Sequence, residues 1–468
     1  MTLVAGVDCS TQATKVVVCD ADTGQVMREG RASHPDVTEV DPQVWWRAWL
    51  DASAGLLDDV SALAVGGQQH GMVLVDGDNR PVRDALLWND NRSAPQAQDL
   101  LSEIGGPQAW ADLAGLVPVA SFTVTKLRWV AEHEPDVADT AAGVLLPHDW
   151  LTHRLRADAG APTTDRGDAS GTGYWSPRQG RYLPDVLERA FGRGLDTPRV
   201  AGPQQPVGET AEGALLAPGT GDNMAAALGL GLRPGDVAVS LGTSGTVFAV
   251  SDSPTADESG IVAGFADATG RFLPLVCTLN AARVLGAATA MTGTDLADLD
   301  RLALSVPDTD GLVLLPFLDG ERTPPLPDAT GLLHGLTRRN ATPGHVARAA
   351  VEGMLCGLVD AMQALRASGT SPRRVVLVGG AARSHAVQQI ASSLFGLPLS
   401  VPEPGEYVAV GAARQAAWTL AGSSTPPDWP LAQHTVDPDP ATEAAAQRTR
   451  ERYRSVLDQA TPLLRRPP

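Results

Sequence analysis

Val7-Asp8-Cys9-Ser10-Thr11-Gln12-Ala13-Thr14 and Val239-Ser240-Leu241-Gly242-Thr243-Ser244-Gly245-Thr246 have the same form: a strand, a T-x-x-T turn and a second strand. The first runs on into Val16-Val17-Val18 and the second into Val247-Phe248-Ala249-Val250, so each small polar turn lies between apolar, largely β-branched runs, as a hairpin requires. The two lie about half a chain apart, and a repeat once per half predicts two domains of one design. The length agrees, because 468 residues exceed what one hydrophobic core organises. The segment from Gly202 to Gly235 is rich in proline and glycine and ends at Arg233-Pro234-Gly235-Asp236, just ahead of the second hairpin. It sets the expected domains at 1–233 and 234–468. Turns of this kind expose backbone N–H groups and threonine hydroxyls that can hold phosphate oxygens; a Thr-rich hairpin can equally be only a hairpin.

Further along, Leu63-Ala64-Val65, Met72-Val73-Leu74-Val75 and Ala85-Leu86-Leu87 read as short strands. Asp41-Pro42-Gln43-Val44-Trp45-Trp46 opens a helix with a capping acid and an early proline, its tryptophans facing a core. In the second half, Val375-Val376-Leu377-Val378 leads at once into Gly379-Gly380-Ala381-Ala382-Arg383-Ser384 and a helix to about Phe395. Strand, glycine turn and helix in that order define an α/β class and place free N–H groups where such sheets bind ligands. The Ala-rich helix near Ala441 to Leu457 reads as structural.

Composition narrows the function. A net charge of -18 repels nucleic acid and anionic lipid, no run approaches the roughly 18 apolar residues of a membrane span, and no basic-then-apolar leader opens the chain. The expectation is a cytoplasmic protein with a small-molecule partner, no nucleic acid and no membrane. Cys9, Cys19, Cys277 and Cys356 form no CxxC pair and read as reduced and structural. Of the 36 basic residues only Lys15 and Lys126 are lysines, which raises the question of what each does.

Phosphoryl transfer to an alcohol needs a nucleotide cradle, a cation against the phosphates and a base for the hydroxyl proton. There is no G-x-x-x-x-G-K-[ST] loop and no H-R-D/D-F-G pair, so the cradle must be of another kind. Gly219-Thr220-Gly221-Asp222-Asn223 sets a carboxylate at the mouth of a helix, where Asp222 is either an N-cap or a base. Asp8 ends the first strand and either caps the turn or meets a cation beside phosphate. Lys15 either faces solvent or reaches a phosphate. Gln68-Gln69-His70-Gly71 offers amides and an imidazole suited to sugar hydroxyls, and Trp88-Asn89-Asp90 a stacking face; a loop histidine and a tryptophan can also be purely structural. No His or Cys cluster has zinc-site spacing.

Taken in order, these pieces resemble the FGGY carbohydrate kinases. The resemblance runs from about residue 4 to residue 416. It is carried by Val7-Asp8 with Thr11 and Lys15, Gly67-Gln68-Gln69-His70-Gly71, Trp88-Asn89-Asp90, Leu145-Leu146-Pro147-His148-Asp149-Trp150-Leu151, Gly221-Asp222-Asn223, Ser240-Leu241-Gly242-Thr243-Ser244-Gly245, Gly320-Glu321-Arg322-Thr323-Pro324 and Gly379-Gly380-Ala381-Ala382-Arg383-Ser384. It implies two actin-like (ribonuclease H-like) ATPase domains, the N-terminal one for sugar and the C-terminal one for nucleotide, closing an interdomain catalytic cleft over MgATP and a small ketose such as D-xylulose. By the same resemblance Asp222 is the general base, Asp8 stands near Mg2+ and the transferred phosphate, and Thr11, Lys15, Thr243, Gly380 and Ser384 line ATP. Gln69 and His70 hold the ketose, with Trp88 and Asn223 beside them, and the chain forms a homodimer. Ser10 stands where many members have glycine, Gln69 where methionine is common and Ala381 where a third glycine is frequent. Gln69, at the sugar, bears on which substrate is taken. The other readings are a sibling kinase for ribulose, gluconate or glycerol, an actin-like ATPase that switches a partner, and a sugar-sensing binding protein.

Overall fold

The computed structural model describes residues 1–464. The chain divides into two compact units: Met1–Leu232 with Val250–Pro274 and Gly405–Leu431, and Arg233–Ala249 with Leu275–Pro404 and the residues from Ala432 on. The expected cut at 233/234 falls one residue past the point where the chain first passes between the units, 232/233, and leaves out two later segments, 250–274 and 405–431, that return to the first.

In the first unit the expected hairpin is Leu3–Cys9 paired antiparallel with Ala13–Asp20, which pairs in turn with Val26–Ser33. On its other side Leu3–Cys9 runs parallel to Val60–Gly67, and Leu215–Leu216 and Thr220–Gly221 are also parallel to that strand. Every residue of Leu3–Cys9 is buried because the strand is covered on both faces. Leu3, Ala5, Val7 and Cys9 join a core with Trp45, Trp49 and Trp150, from the helices Gln43–Ser53 and Pro147–Leu155. Val4, one residue out of phase, packs with Ala62, Ala64 and the alanines of helix Tyr407–Ala421. A two-residue period sends alternate side chains to opposite layers, and a strand buried on both faces reads as one apolar run.

The second unit repeats the arrangement. Asp236–Leu241 and Gly245–Ala249 form the second hairpin, Arg374–Val378 runs parallel beside its first strand, and Leu399–Pro402 extends the sheet in parallel. The helix Pro343–Ala367, N-capped by the Thr342 side chain, is buried along most of its length. The repeat seen in the sequence is thus a repeat of topology: a hairpin whose first strand is flanked by a parallel strand.

Glycine permits the closest approaches in the first unit. A Cβ on Gly6 would lie 1.9 Å from the Ala409 carbonyl, one on Gly411 1.8 Å from the Ala225 carbonyl, and one on Gly229 2.2 Å from the Tyr407 carbonyl. Helix Tyr407–Ala421 therefore rests on strand Leu3–Cys9 and on helix Asp222–Gly229 backbone to backbone. Lys126 answers half of the lysine question: it is wholly buried, and its ammonium donates to the carbonyls of Ala120 (2.8 Å) and Ser121 (2.5 Å). Burial, only partly opposed by Asp90, pulls its pKa down to about 7. Lys126 is a staple for the turn before helix Thr123–His133.

Gly411→Ala should force the two helices apart and lower stability by about 1–3 kcal/mol, the usual range for overpacking. Gly286→Ala, in helix Ala282–Thr292 where an added Cβ meets nothing within 4 Å, should instead be neutral or stabilising by up to about 1 kcal/mol. Urea denaturation of the two variants separates the outcomes; equal effects would contradict the packing described.

Candidate active site

Asp8 lies at the end of the first strand, opposite Lys15 across the hairpin, and is 3% exposed. Its Oδ2 accepts from Lys15 Nζ at 3.2 Å, while its Oδ1 is buried without a partner. Burial raises the Asp8 carboxyl to about 6 against the pull of Lys15. Lys15 also donates to Glu406 Oε2 at 2.7 Å, so it is held between two carboxylates and is not a free surface lysine. Burial works against its charge, but Asp8 and Glu406 outweigh it and raise its pKa.

Asp222 is the first residue of its helix, and Gly221 occupies the N-cap position, which removes the capping role as its explanation. Its Oδ1 accepts from Asn223 N (2.7 Å) and Asn223 Nδ2 (2.8 Å), and part of its surface remains exposed. Burial first, and the charge of Asp8 second, push the Asp222 carboxyl up to about 7. A carboxylate with that pKa suits proton abstraction near neutral pH.

The sugar candidates adjoin it. Asn223 Nδ2 also donates to Gln69 Oε1 at 3.3 Å, and Gln69 Nε2 is buried with no partner. His70 adopts φ +68°, a left-handed conformation uncommon outside glycine, though histidine enters it more readily than most side chains. It is kept there by a 2.8 Å hydrogen bond between Nδ1 and the Gly171 carbonyl and by edge-on packing against Phe122. Trp88 is not core: it is 36% exposed, and its indole N–H donates to Thr11 Oγ1 at 2.8 Å. Thr11 in turn donates to Gln68 Oε1 at 3.5 Å. In the first unit Asp8, Lys15, Asp222, Asn223 and Gln69 are joined by direct contacts or charge, while Thr11 and Trp88 form a separate pair that reaches Gln68, the residue before Gln69.

In the second unit, Thr243 is exposed in the hairpin turn and its carbonyl accepts from Ala281 N at 3.2 Å. Gly379, at φ +96°, passes so close that a Cβ would lie 2.6 Å from the Leu241 carbonyl, whereas a Cβ on Gly380 would meet nothing within 4 Å. Ser384 caps helix His385–Phe395, accepting from Val387 N and donating to Asp300 Oδ1. Its hydroxyl is already engaged in structure, unlike the open backbone at Gly380.

Sequence reasoning missed three features. Glu406, the second partner of Lys15, lies almost four hundred residues from it. Gln68, read with Gln69 as an amide for sugar hydroxyls, accepts instead from Thr11 Oγ1 at 3.5 Å, a contact the sequence did not show. The third is a buried cluster in which His148 Nδ1 meets Asp168 Oδ2 at 2.5 Å and His148 Nε2 faces Asp149 Oδ1 at 3.4 Å. Burial disfavours the charged imidazolium, but Asp149 and Asp168, with Asp165 behind, outweigh it and raise His148 to about 9. The ligand atoms of His148, Asp149 and Asp168 lie within 4.8 Å of one another, a grouping that the spacing in the sequence did not reveal. Only the stretch around His148 and Asp149 carried a signal, as part of a family-like motif.

Residues 3–229 match the model of the FGGY family of carbohydrate kinases, N-terminal domain, and residues 237–420 match that of the C-terminal domain. The chain is 46% identical to the xylulose kinase of Streptomyces coelicolor over 99% of its own length and 98% of that protein's, and 34% identical to that of Escherichia coli over 98% and 99%. The crystal structure of xylulose kinase from Bifidobacterium adolescentis, 44% identical, superimposes with a TM-score of 0.88 over 97% of this chain and 99% of that one. The chain belongs to the FGGY family of carbohydrate kinases. It has the family's two-domain actin-like fold and is an ATP-dependent carbohydrate kinase. No helix among the described residues is long and apolar enough to cross a membrane.

The position of Asp222 has a cost in stability with a definite sign. Unfolded, the carboxyl ionises near its ordinary value of about 3.9; folded, it holds its proton up to about 7. Between those values the unfolded state gains from ionisation and the folded state does not, so stability is lost as pH rises through the window. Asp222→Asn has no such loss. Its melting temperature should exceed the parent's by a margin that grows from pH 5 to pH 8 and then levels off; a margin independent of pH would contradict the assignment.

Proposed function

We propose that the protein transfers the γ-phosphoryl group of ATP to the terminal hydroxyl of a ketose, D-xylulose first among them, giving D-xylulose 5-phosphate. The observation that carries the chemistry is the placement of Asp222: a carboxylate raised to about 7, beside Asp8 and linked through Asn223 to Gln69. The choice of ketose is supported by identity to xylulose kinases over nearly the whole chain.

In this reading Gln69, His70 and Asn223 bind the sugar, and the unpartnered Gln69 amide N–H group supplies a donor that the methionine common in the family would not. Trp88 adds an apolar face. Asp222 accepts the proton from O5 as that oxygen forms its bond to the γ-phosphorus and the bond from phosphorus to the β-γ bridging oxygen breaks. Lys15 exchanges a carboxylate partner for a phosphate oxygen, and Thr11, Thr243 and Gly380 offer hydroxyl and backbone groups to the nucleotide. Ser384 contributes by fixing the start of its helix. The unpartnered Oδ1 of Asp8 fits a divalent cation, since Mg2+ in phosphoryl-transfer sites takes one or two carboxylates together with phosphate oxygens. Mg2+ held there would neutralise charge on the transferring group.

The test is ADP release coupled to a dye reaction, run with D-xylulose, D-ribulose, L-ribulose, gluconate, glycerol and no sugar. D-xylulose should give the highest kcat/KM, with little turnover when sugar is omitted; a higher value for another acceptor would reassign the substrate. Asp222→Ala should lose about 100- to 10,000-fold in kcat while still binding ATP. Turnover retained in that variant would remove Asp222 as base.

A further inference from the structure

Directly behind the base lies polar machinery with no role in the chemistry above. Asp165 ends the strand Thr163–Asp165 and caps the short turn of helix that follows, its Oδ1 accepting from Asp168 N and its Oδ2 from Gly167 N, both at 2.8 Å. The same Oδ2 accepts a third hydrogen bond, at 2.7 Å, from Thr220 Oγ1. Asp165 is 2% exposed and Thr220 1%, so this contact has no competition from water. Thr220 and Gly221 form a strand of only two residues, in register with Gly66 and Gly67, and the next residue is Asp222.

A two-residue strand has little ladder of its own to fix it. We propose that Asp165 is a positioning residue for phosphoryl transfer, holding Thr220 by its hydroxyl and thereby fixing where the chain delivers Asp222.

Three surrounding features fit this role. Gly167 has no side chain where one would block the bond, since a Cβ there would lie 2.6 Å from Thr220 Oγ1. Gly219, at φ +76°, lies against the His148 ring and receives a hydrogen bond from the buried Gln415 amide on its carbonyl, so the residue before Thr220 is also held. Burial raises the Asp165 carboxyl above its ordinary value, and the charge of His148, with the hydrogen bonds from Asp168 N, Thr220 Oγ1 and Gly167 N, opposes that rise. The cluster thus supplies a fixed hydrogen-bond acceptor behind a strand too short to hold itself.

The inference rests on Asp222 being the base, and the experiment separates the two. Thr220→Val keeps the shape and deletes the hydroxyl; Thr220→Ser keeps the hydroxyl. In the sugar kinase assay, Thr220→Val should lose about 10- to 100-fold in kcat, the scale of a misplacement near 1 Å. KM for sugar and ATP affinity should stay within about threefold, and Thr220→Ser should recover most of the rate. Adding Asp165→Asn to Thr220→Val should cost little more in kcat, because the two act through one bond. Parental kcat in Thr220→Val alongside an inactive Asp222→Ala overturns the positioning role alone. Parallel losses of kcat and sugar binding without rescue by serine would show a merely structural role and overturn it as well. Activity in Asp222→Ala would instead sink the base assignment. Should Thr220→Val fail to fold, Thr220→Ala is read against Thr220→Ser in the same way.

Discussion

Everything at the candidate site depends on how closely one helix can approach one strand. Gly6, Gly229 and Gly411 let helix Tyr407–Ala421 lie on strand Leu3–Cys9 and on helix Asp222–Gly229 with no side chain between them. The next-to-last residue of that strand is Asp8, the start of the second helix is Asp222, and the residue before the first is Glu406. Close packing therefore sets three carboxylates near Lys15, with Asp8 buried and Glu406 partly open to solvent. Burial outweighs Lys15 at Asp8, and burial together with the charge of Asp8 raises Asp222, so both carboxyls rise toward neutral pKa values.

This burial is unfavourable to the folded state, and the role of base proposed for Asp222 gives it a chemical reason. A base must be free of its proton near neutral pH yet basic enough to take one, which an exposed aspartate is not. Active sites commonly hold groups that would be more stable elsewhere, at some expense to the fold. The surroundings of Asp222 compensate in part: Asn223 hydrogen-bonds one carboxylate oxygen, and the Asp165–Thr220 contact anchors the backbone just ahead of it. His148, between Asp149 and Asp168, brings positive charge into a region that would otherwise hold only acids.

Much of this was legible in the sequence. The two hairpins announced themselves because β-branched runs flank a turn of small hydroxyl residues, and because the pattern recurs half a chain later. Asp8, Asp222 and the Gln69-His70 loop stood at strand ends and a helix mouth, positions that sequence patterns reveal. What stayed hidden depends on distance along the chain. Nothing local ties 405–431 to the first hairpin, so neither the glycine contacts nor the Lys15–Glu406 pair could be foreseen. Asp165 and Asp168 sit in a stretch whose turn and short helix leave no periodic signal, and their function appears only beside Thr220 and His148. Lys126 shows the same limit: a lone lysine in an arginine-rich chain was noticeable, but its two carbonyl partners were not.

The central claim is that packing raises Asp222 to near-neutral pKa beside Asp8. The most direct measurement is a carboxyl titration by carbon-13 NMR on protein labelled at aspartate side chains, with Asp222→Asn used to assign the signal. The account expects a midpoint near 7 for Asp222. A midpoint near the ordinary carboxylate value of about 4 would contradict it.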